Sequence, residues 1–246
     1  MSAKKMNWQA ELLRVTVFPV SSVQFDVAEW WTLVTGEAPE AIESKPKFGI
    51  YQAAGCFGKG RLILNIEPNR IDWLYTKDQQ NNIENSFWIG DYLIEKQAFF
   101  KALEKWTPSC PPSYRIALGT ILLETTDNLI NGYHHLSKLL PAIKIDAENS
   151  FDFSYSINRP RFSKVLKNLK INRLSKWSVV TISLQIINPS VRQNFDKISE
   201  TFACRLELDV NTTADQKDPL PQESLHKLFS ELEKFTVEIA EKGDLS

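Results

Sequence analysis

The sequence predicts an α+β fold: largely antiparallel sheets with packed helices, in two sheet-and-helix halves. Three observations carry this. Strand-like runs come in groups joined by the short Gly and Pro-Asn connections of an antiparallel meander. Helical patterns separate the groups instead of following each strand, which argues against a doubly wound parallel sheet. The chain of 246 residues, 43% of them hydrophobic, is also long enough and apolar enough to bury a substantial core.

The elements can be justified in order. ELLRVTVFPV (11–20) alternates Leu13, Val15 and Val17 against Arg14 and Thr16, the period of a half-buried strand. DVAEWWTLVTG (26–36) opens with Asp26 and Glu29 at capping-box spacing and stops at Gly36, so it reads as a helix. FGIYQAA, GRLILNIE and RIDWLYT follow as three strands. DYLIEKQAFFKALEKW (91–106) is a helix closed by the proline-rich TPSCPP, and YRIALGTILLE is the next strand. Leu129, Tyr133, Leu136 and Leu140 form the apolar stripe of a further helix. PAIKIDAENS (141–150) is the best candidate for a boundary between halves, placed as 1–145 and 146–246, with one continuous domain as the alternative. The second half offers strands at FDFSYSIN, KWSVVTISLQII and ETFACRLELDV. It ends in a helix striped by Leu225, Leu228, Phe229, Leu232, Phe235 and Ile239.

Several function classes lose ground on composition alone. The start carries two lysines without an apolar core behind them, unlike a secretory signal, and no apolar run approaches a membrane span, so a cytoplasmic protein without membrane contact is expected. Cys56, Cys110 and Cys204 are odd in number, far apart and without a Cys-x-x-Cys pair. They read as ordinary thiols instead of a disulfide framework or zinc site. His134 and His135 lie roughly 130° from the apolar stripe of their helix, on opposite sides, and adjacent residues do not give the three- or four-residue spacing that a shared metal ion wants. His226 faces outward by the same reasoning. No catalytic residue, metal ligand or cofactor is expected.

Two weaker patterns read blandly. AAGCFGKGRL places Gly55, Gly58 and Gly60 beside Lys59 and Arg61 but matches neither a Walker loop nor a dinucleotide fingerprint, so it reads as a hairpin turn. Trp30 and Trp31 are consecutive on a helix and about 100° apart, so one of them is expected to be partly exposed.

Charge points to one segment. Residues 151–195 carry 8 Lys/Arg against 1 Asp/Glu, and residues 196–246 carry 6 against 12. Within RPRFSKVLKNLKINRLSKW, Arg159, Arg161, Lys164, Lys167, Lys170, Arg173 and Lys176 occur without an intervening acid, and Tyr155, Phe162 and Trp177 lie close by. A short helix would hold Lys164, Lys167 and Lys170 near one face. Such a row suits phosphates, with aromatic rings available to stack on bases, or an acidic protein partner; it can also pair with the acidic C-terminal segment of the same chain. Glu207 and Asp209 project to one side of a strand, opposite Leu206 and Leu208, and offer a weaker carboxylate or metal site.

The motifs Phe18-Pro19, Ile157-Asn158-Arg159, Leu208-Asp209 and Leu225-His226, taken with the order of elements, resemble a family of uncharacterised, sporadically distributed bacterial proteins of similar length. That family has no established activity to carry over. Its patchy distribution implies mobile elements or genome defence. The expectation is therefore a non-catalytic binding or assembly subunit of a bacterial multi-protein system that works without a cofactor. Its contact surface is Tyr155, Arg159, Arg161, Phe162, Lys164, Lys167, Lys170, Arg173 and Lys176, and its partner is a protein. The alternatives are a nucleic-acid-binding accessory factor using the same residues on phosphates, and an enzyme with a carboxylate or metal site. Oligomeric state stays open.

Overall fold

The computed structural model describes residues 6–21, 25–78, 87–187 and 195–245. The first part of the chain supplies β1 (Gln9–Pro19), α1 (Val27–Thr35), β2 (Ala41–Lys45), β3 (Ile50–Phe57), β4 (Gly60–Glu67), β5 (Arg70–Lys77), β6 (Gly90–Asp91), α2 (Tyr92–Leu103), β7 (Ser113–Thr126) and α3 (Leu129–Leu139). The rest supplies β8 (Ser154–Asn158), β9 (Arg161–Phe162), β10 (Lys170–Ile187), β11 (Phe195–Thr212) and α4 (Leu225–Lys242). All strand pairs are antiparallel, in one sheet of order β2-β3-β4-β5-β1-β7-β11-β10-β8, with β6 on β1 and β9 on β10. The protein is thus mixed α and β, with a large antiparallel sheet and four helices among the described residues. The expected boundary at 145/146 falls between α3 and β8. The sheet runs through it, because β7 and β11 pair from Phe202↔Thr126 to Asn211↔Ala117.

Side-chain alternation gives the sheet two unlike faces. One register line joins Trp73, Val15, Leu118, Val210 and Arg173 across five strands. All five are buried, because the helices lie on this side. Trp31 of α1 stacks on Trp73 at 6.3 Å, Phe99 of α2 on Tyr75 at 5.9 Å, and the Arg173 guanidinium sits 5.0 Å from the Phe235 ring of α4. α3 packs on the same side through Gly132 against Val179. On the other face, residues such as Leu12, Arg14, Leu74, Ile121, Glu207 and Asp209 stay half-buried. Among the described residues no helix covers them.

Local signals set several element ends. Asp26 caps α1 by accepting from the backbone N–H of Ala28 and Glu29, and Gly36 closes it in the left-handed region at φ 84°. Asp91 caps α2 through Leu93 and Ile94. At α3 the cap is Asn128, which accepts from Asn131 N–H at 2.8 Å. Asp127, which also suits a cap, instead accepts from the Asn131 side chain.

Two expectations fail on packing. Trp30 and Trp31 are 7% and 1% exposed, so neither is left in solvent. α1 is covered on two sides: Trp31 faces the sheet, while Trp30 meets Phe25 at 5.3 Å and Trp106 at 5.6 Å. The lysine-rich stretch is not a helix either. Ser163 Oγ accepts from the backbone N–H of Val165 and Leu166, as a helix cap would. The turn then ends at Asn168 in the left-handed region, φ 66°, and β10 begins at Lys170. A helix of six residues is marginal by itself, whereas extending β10 adds rungs to its long ladder with β11 and a pair with β9.

Candidate binding surfaces

The basic segment is divided between the two faces of the sheet. On the helix side, Arg159, Arg161 and Arg173 are held by acids near the end of the chain. Arg159 binds the Asp244 carboxylate at 3.0 Å, and Tyr155 donates its hydroxyl to the same oxygen at 2.9 Å. Arg161 and Arg173 share Glu238 at 3.1 and 3.4 Å, with the Phe235 ring beside both guanidinium groups. Burial pushes Arg173 below its ordinary pKa; the neighbouring Arg161 charge adds to this and Glu238 opposes it. The acidic C-terminal helix therefore meets the arginines, the intramolecular pairing that the charge pattern allowed.

This pairing is fixed structure and not a removable mask. α4 buries Leu225, Leu228, Phe229, Leu232, Phe235 and Ile239 in the common core. At about 1.5–3 kcal/mol for each buried side chain, lifting the helix to free the arginines would unfold the protein.

Between the 161–165 segment and α4 runs a groove of about 600 Å³. Arg161, Lys164, Lys227, Lys234 and Lys242 line it together with Glu231, Glu238 and Glu241. Glu231 is buried and consumed locally, accepting from Ser163 Oγ at 2.5 Å and from the Lys164 backbone N–H at 2.7 Å. Glu238 is taken by the two arginines and by Lys242 at 3.8 Å. Lys164, Lys227 and Lys234 remain exposed on the rim. Of these, Lys227 and Lys234 were missed from sequence because each stands among acids on α4.

The other predicted residues point elsewhere. Phe162 pairs with Lys170, and both lie opposite the helix-side pair Arg161 and Ile171. Lys176 is on the same open face, bound to Glu207 at 3.3 Å. Lys167 is exposed in the 163–169 loop. Lys164, Lys167 and Lys170 thus do not share a face, contrary to the helical expectation.

The remaining candidates are structurally committed. Glu207 holds Lys176 and, at 3.8 Å, Arg205; Asp209 accepts from the Asn211 side chain at 3.0 Å. Among the described residues no group of three His, Cys, Asp or Glu is placed to hold a metal ion. The glycine-rich stretch is the β3–β4 hairpin. Gly58 is left-handed at φ 54°, Lys59 N–H donates to the Tyr75 hydroxyl, and Lys59 Nζ reaches the buried Glu95 at 3.4 Å. His134 and His226 are exposed and His135 half-buried. Cys110 and Cys204 are buried free thiols, pushed up to about 12 chiefly by burial, and Cys56 is exposed. No described helix is long and apolar enough to cross a membrane.

Set against protein-family models, curated proteins and solved structures, the chain matches none. The resemblance to sporadically distributed bacterial proteins therefore rests on its own short motifs.

Proposed function

We propose that this protein is a non-catalytic, cytoplasmic binding or assembly subunit whose helix-side groove takes an acidic segment of a protein partner. The observation that carries this reading is the groove between the 161–165 segment and α4, where Lys164, Lys227 and Lys234 stand exposed while Glu231 and Glu238 are already engaged. Carboxylate side chains suit this site better than a phosphate backbone does. Three glutamates interrupt the cations, so a ligand must place its charges selectively, and among the described residues the one ring lining the groove, Phe235, is buried and cannot stack on a base.

A labelled glutamate-rich peptide tests the reading by fluorescence anisotropy at low ionic strength. Combined reversal of Lys164, Lys227 and Lys234 to Glu is expected to weaken binding at least tenfold, since three rim charges are lost and three repulsions gained. Undiminished binding by a folded triple variant would refute the groove as the contact surface.

A further inference from the structure

A second constellation lies at one end of the helix-free face, on different residues from the groove. Phe18 of β1 is the register partner of Arg115 of β7, whose guanidinium lies 5.0 Å from the ring centre. Arg115 Nε donates to the Thr212 carbonyl at 3.1 Å, and Thr213 N–H donates to the Lys170 carbonyl at 3.0 Å. Lys170 in turn pairs with Phe162. An aromatic ring, a cation, a second cation and a second aromatic ring therefore follow one another across the sheet. Phe162 is 68% exposed, so its ring is open to solvent.

The adjacent row on the same face is a chain of side-chain amides. Asn158 Nδ2 donates to Asn172 Oδ1 at 3.0 Å, Asn172 Nδ2 to Asn211 Oδ1 at 3.1 Å, and Asn211 Nδ2 to Asp209 Oδ1 at 3.0 Å. The Asp209 carboxylate can only accept, so it fixes the direction of the amides that lead to it. Asn158 is exposed and Asn172 half-buried, on the same face as Lys170 and Phe162.

We propose that this end of the open face binds single-stranded nucleic acid, with Phe162 as a stacking platform, Lys170 and Arg115 on phosphates, and Asn158 and Asn172 against base edges. Two rings flanking a pair of cations on an uncovered surface suit an unpaired strand, because each nucleotide offers a π-face and a charge together. A duplex hides its base faces in the stack, and an acidic peptide makes no use of the exposed ring. The acids near this region are engaged within the protein. Asp72 is bound by Arg70 at 2.6 Å, Asp209 ends the amide chain, and Asp215 lies near Lys170. Two phosphate contacts give a log–log salt slope of only about −1.4 for a single strand.

The test uses the full chain, a labelled twelve-nucleotide oligothymidylate, its duplex with oligoadenylate, and a salt titration of anisotropy. Phe162→Ala and Lys170→Glu are each expected to weaken single-strand binding about tenfold or more, as loss of one stacked base or one phosphate contact does. Phe162→Tyr retains the ring and is expected to retain binding; at about 0.15 M salt, where exposed charges more than about 8 Å apart are largely screened, the Lys164/Lys227/Lys234 reversal leaves it within about twofold. The two single substitutions alter exposed side chains, so misfolding does not confound them. No binding at low salt, duplex binding as tight as single-strand binding, or loss in the groove variant with retention in Phe162→Ala would each overturn the proposal. The first two outcomes leave the acidic-peptide assay untouched, and the third would move the strand to the groove, so each surface is read on its own variants.

Discussion

Asp244 shows how much one side chain near the end of the chain carries. Its carboxylate side chain is 0% exposed and receives both Arg159 and Tyr155. Its backbone N–H donates to the Leu139 carbonyl at 3.2 Å, which ties the end of α4 to the end of α3. Replacement by Ala leaves a half-buried guanidinium and a phenol without their acceptor. Because Arg159 is 37% exposed, water recovers part of the loss. The expected cost is about 2 kcal/mol, read as a lowered midpoint in urea, and Tyr155→Phe, which removes one hydrogen bond, should cost about 1 kcal/mol. An unchanged midpoint for Asp244→Ala would show the clasp to be energetically idle. Neither residue was legible as a pair, since they stand 89 positions apart. What sequence did offer was the charge imbalance between residues 151–195 and 196–246, which shows that opposite charges are available but not which of them meet.

At the scale of elements, α3 is seated by a missing side chain. A Cβ at Gly132 would lie 2.6 Å from Val179 Cγ1, and Cys204 donates its thiol to the Gly132 carbonyl at 3.3 Å, so the helix backbone rests directly on β10 and β11. Gly132→Ala gains intrinsic helix propensity of about 1 kcal/mol yet overpacks the contact by about 1–3 kcal/mol. The balance is a net loss of stability, and adding Val179→Ala should restore most of it. A thermal melt of the single and double variants checks this, and additive effects would break the argument. Legibility at this scale followed periodicity. α1, α2, α3 and α4 and the long strands were readable because apolar spacing and caps agree. β6 and β9, two residues each, were not, because so short a segment has no period. The stretch 164–170 reads as helical from its lysine spacing, but the ladder that β10 makes with β11 and β9 decides otherwise.

For the whole molecule, the central fact is that one sheet passes through both sequence halves and collects the four described helices on one side. Expressed alone, residues 1–145 would leave β7 without its ten-residue ladder to β11 and expose Leu118 and Leu122, both buried in the full chain beside their β11 partners Val210 and Leu206. The fragment is expected to aggregate or remain unfolded by circular dichroism, while the full chain unfolds in a single transition by both near- and far-ultraviolet signals. A soluble, cooperatively folded fragment would contradict that view of the core. The sequence by itself determined the α+β class, the antiparallel pairing, the principal helices and the basic segment, because these are local: alternation, caps and charge runs are written within ten to twenty residues. Only the tertiary structure decided that Arg159, Arg161 and Arg173 face the helices while Phe162, Lys170 and Lys176 face the open side. It also decided that Lys227 and Lys234 complete the groove and that Phe18 and Arg115 join Phe162 in one row. Those outcomes depend on strand register and on which face the helices cover, and a shift of one residue reverses both.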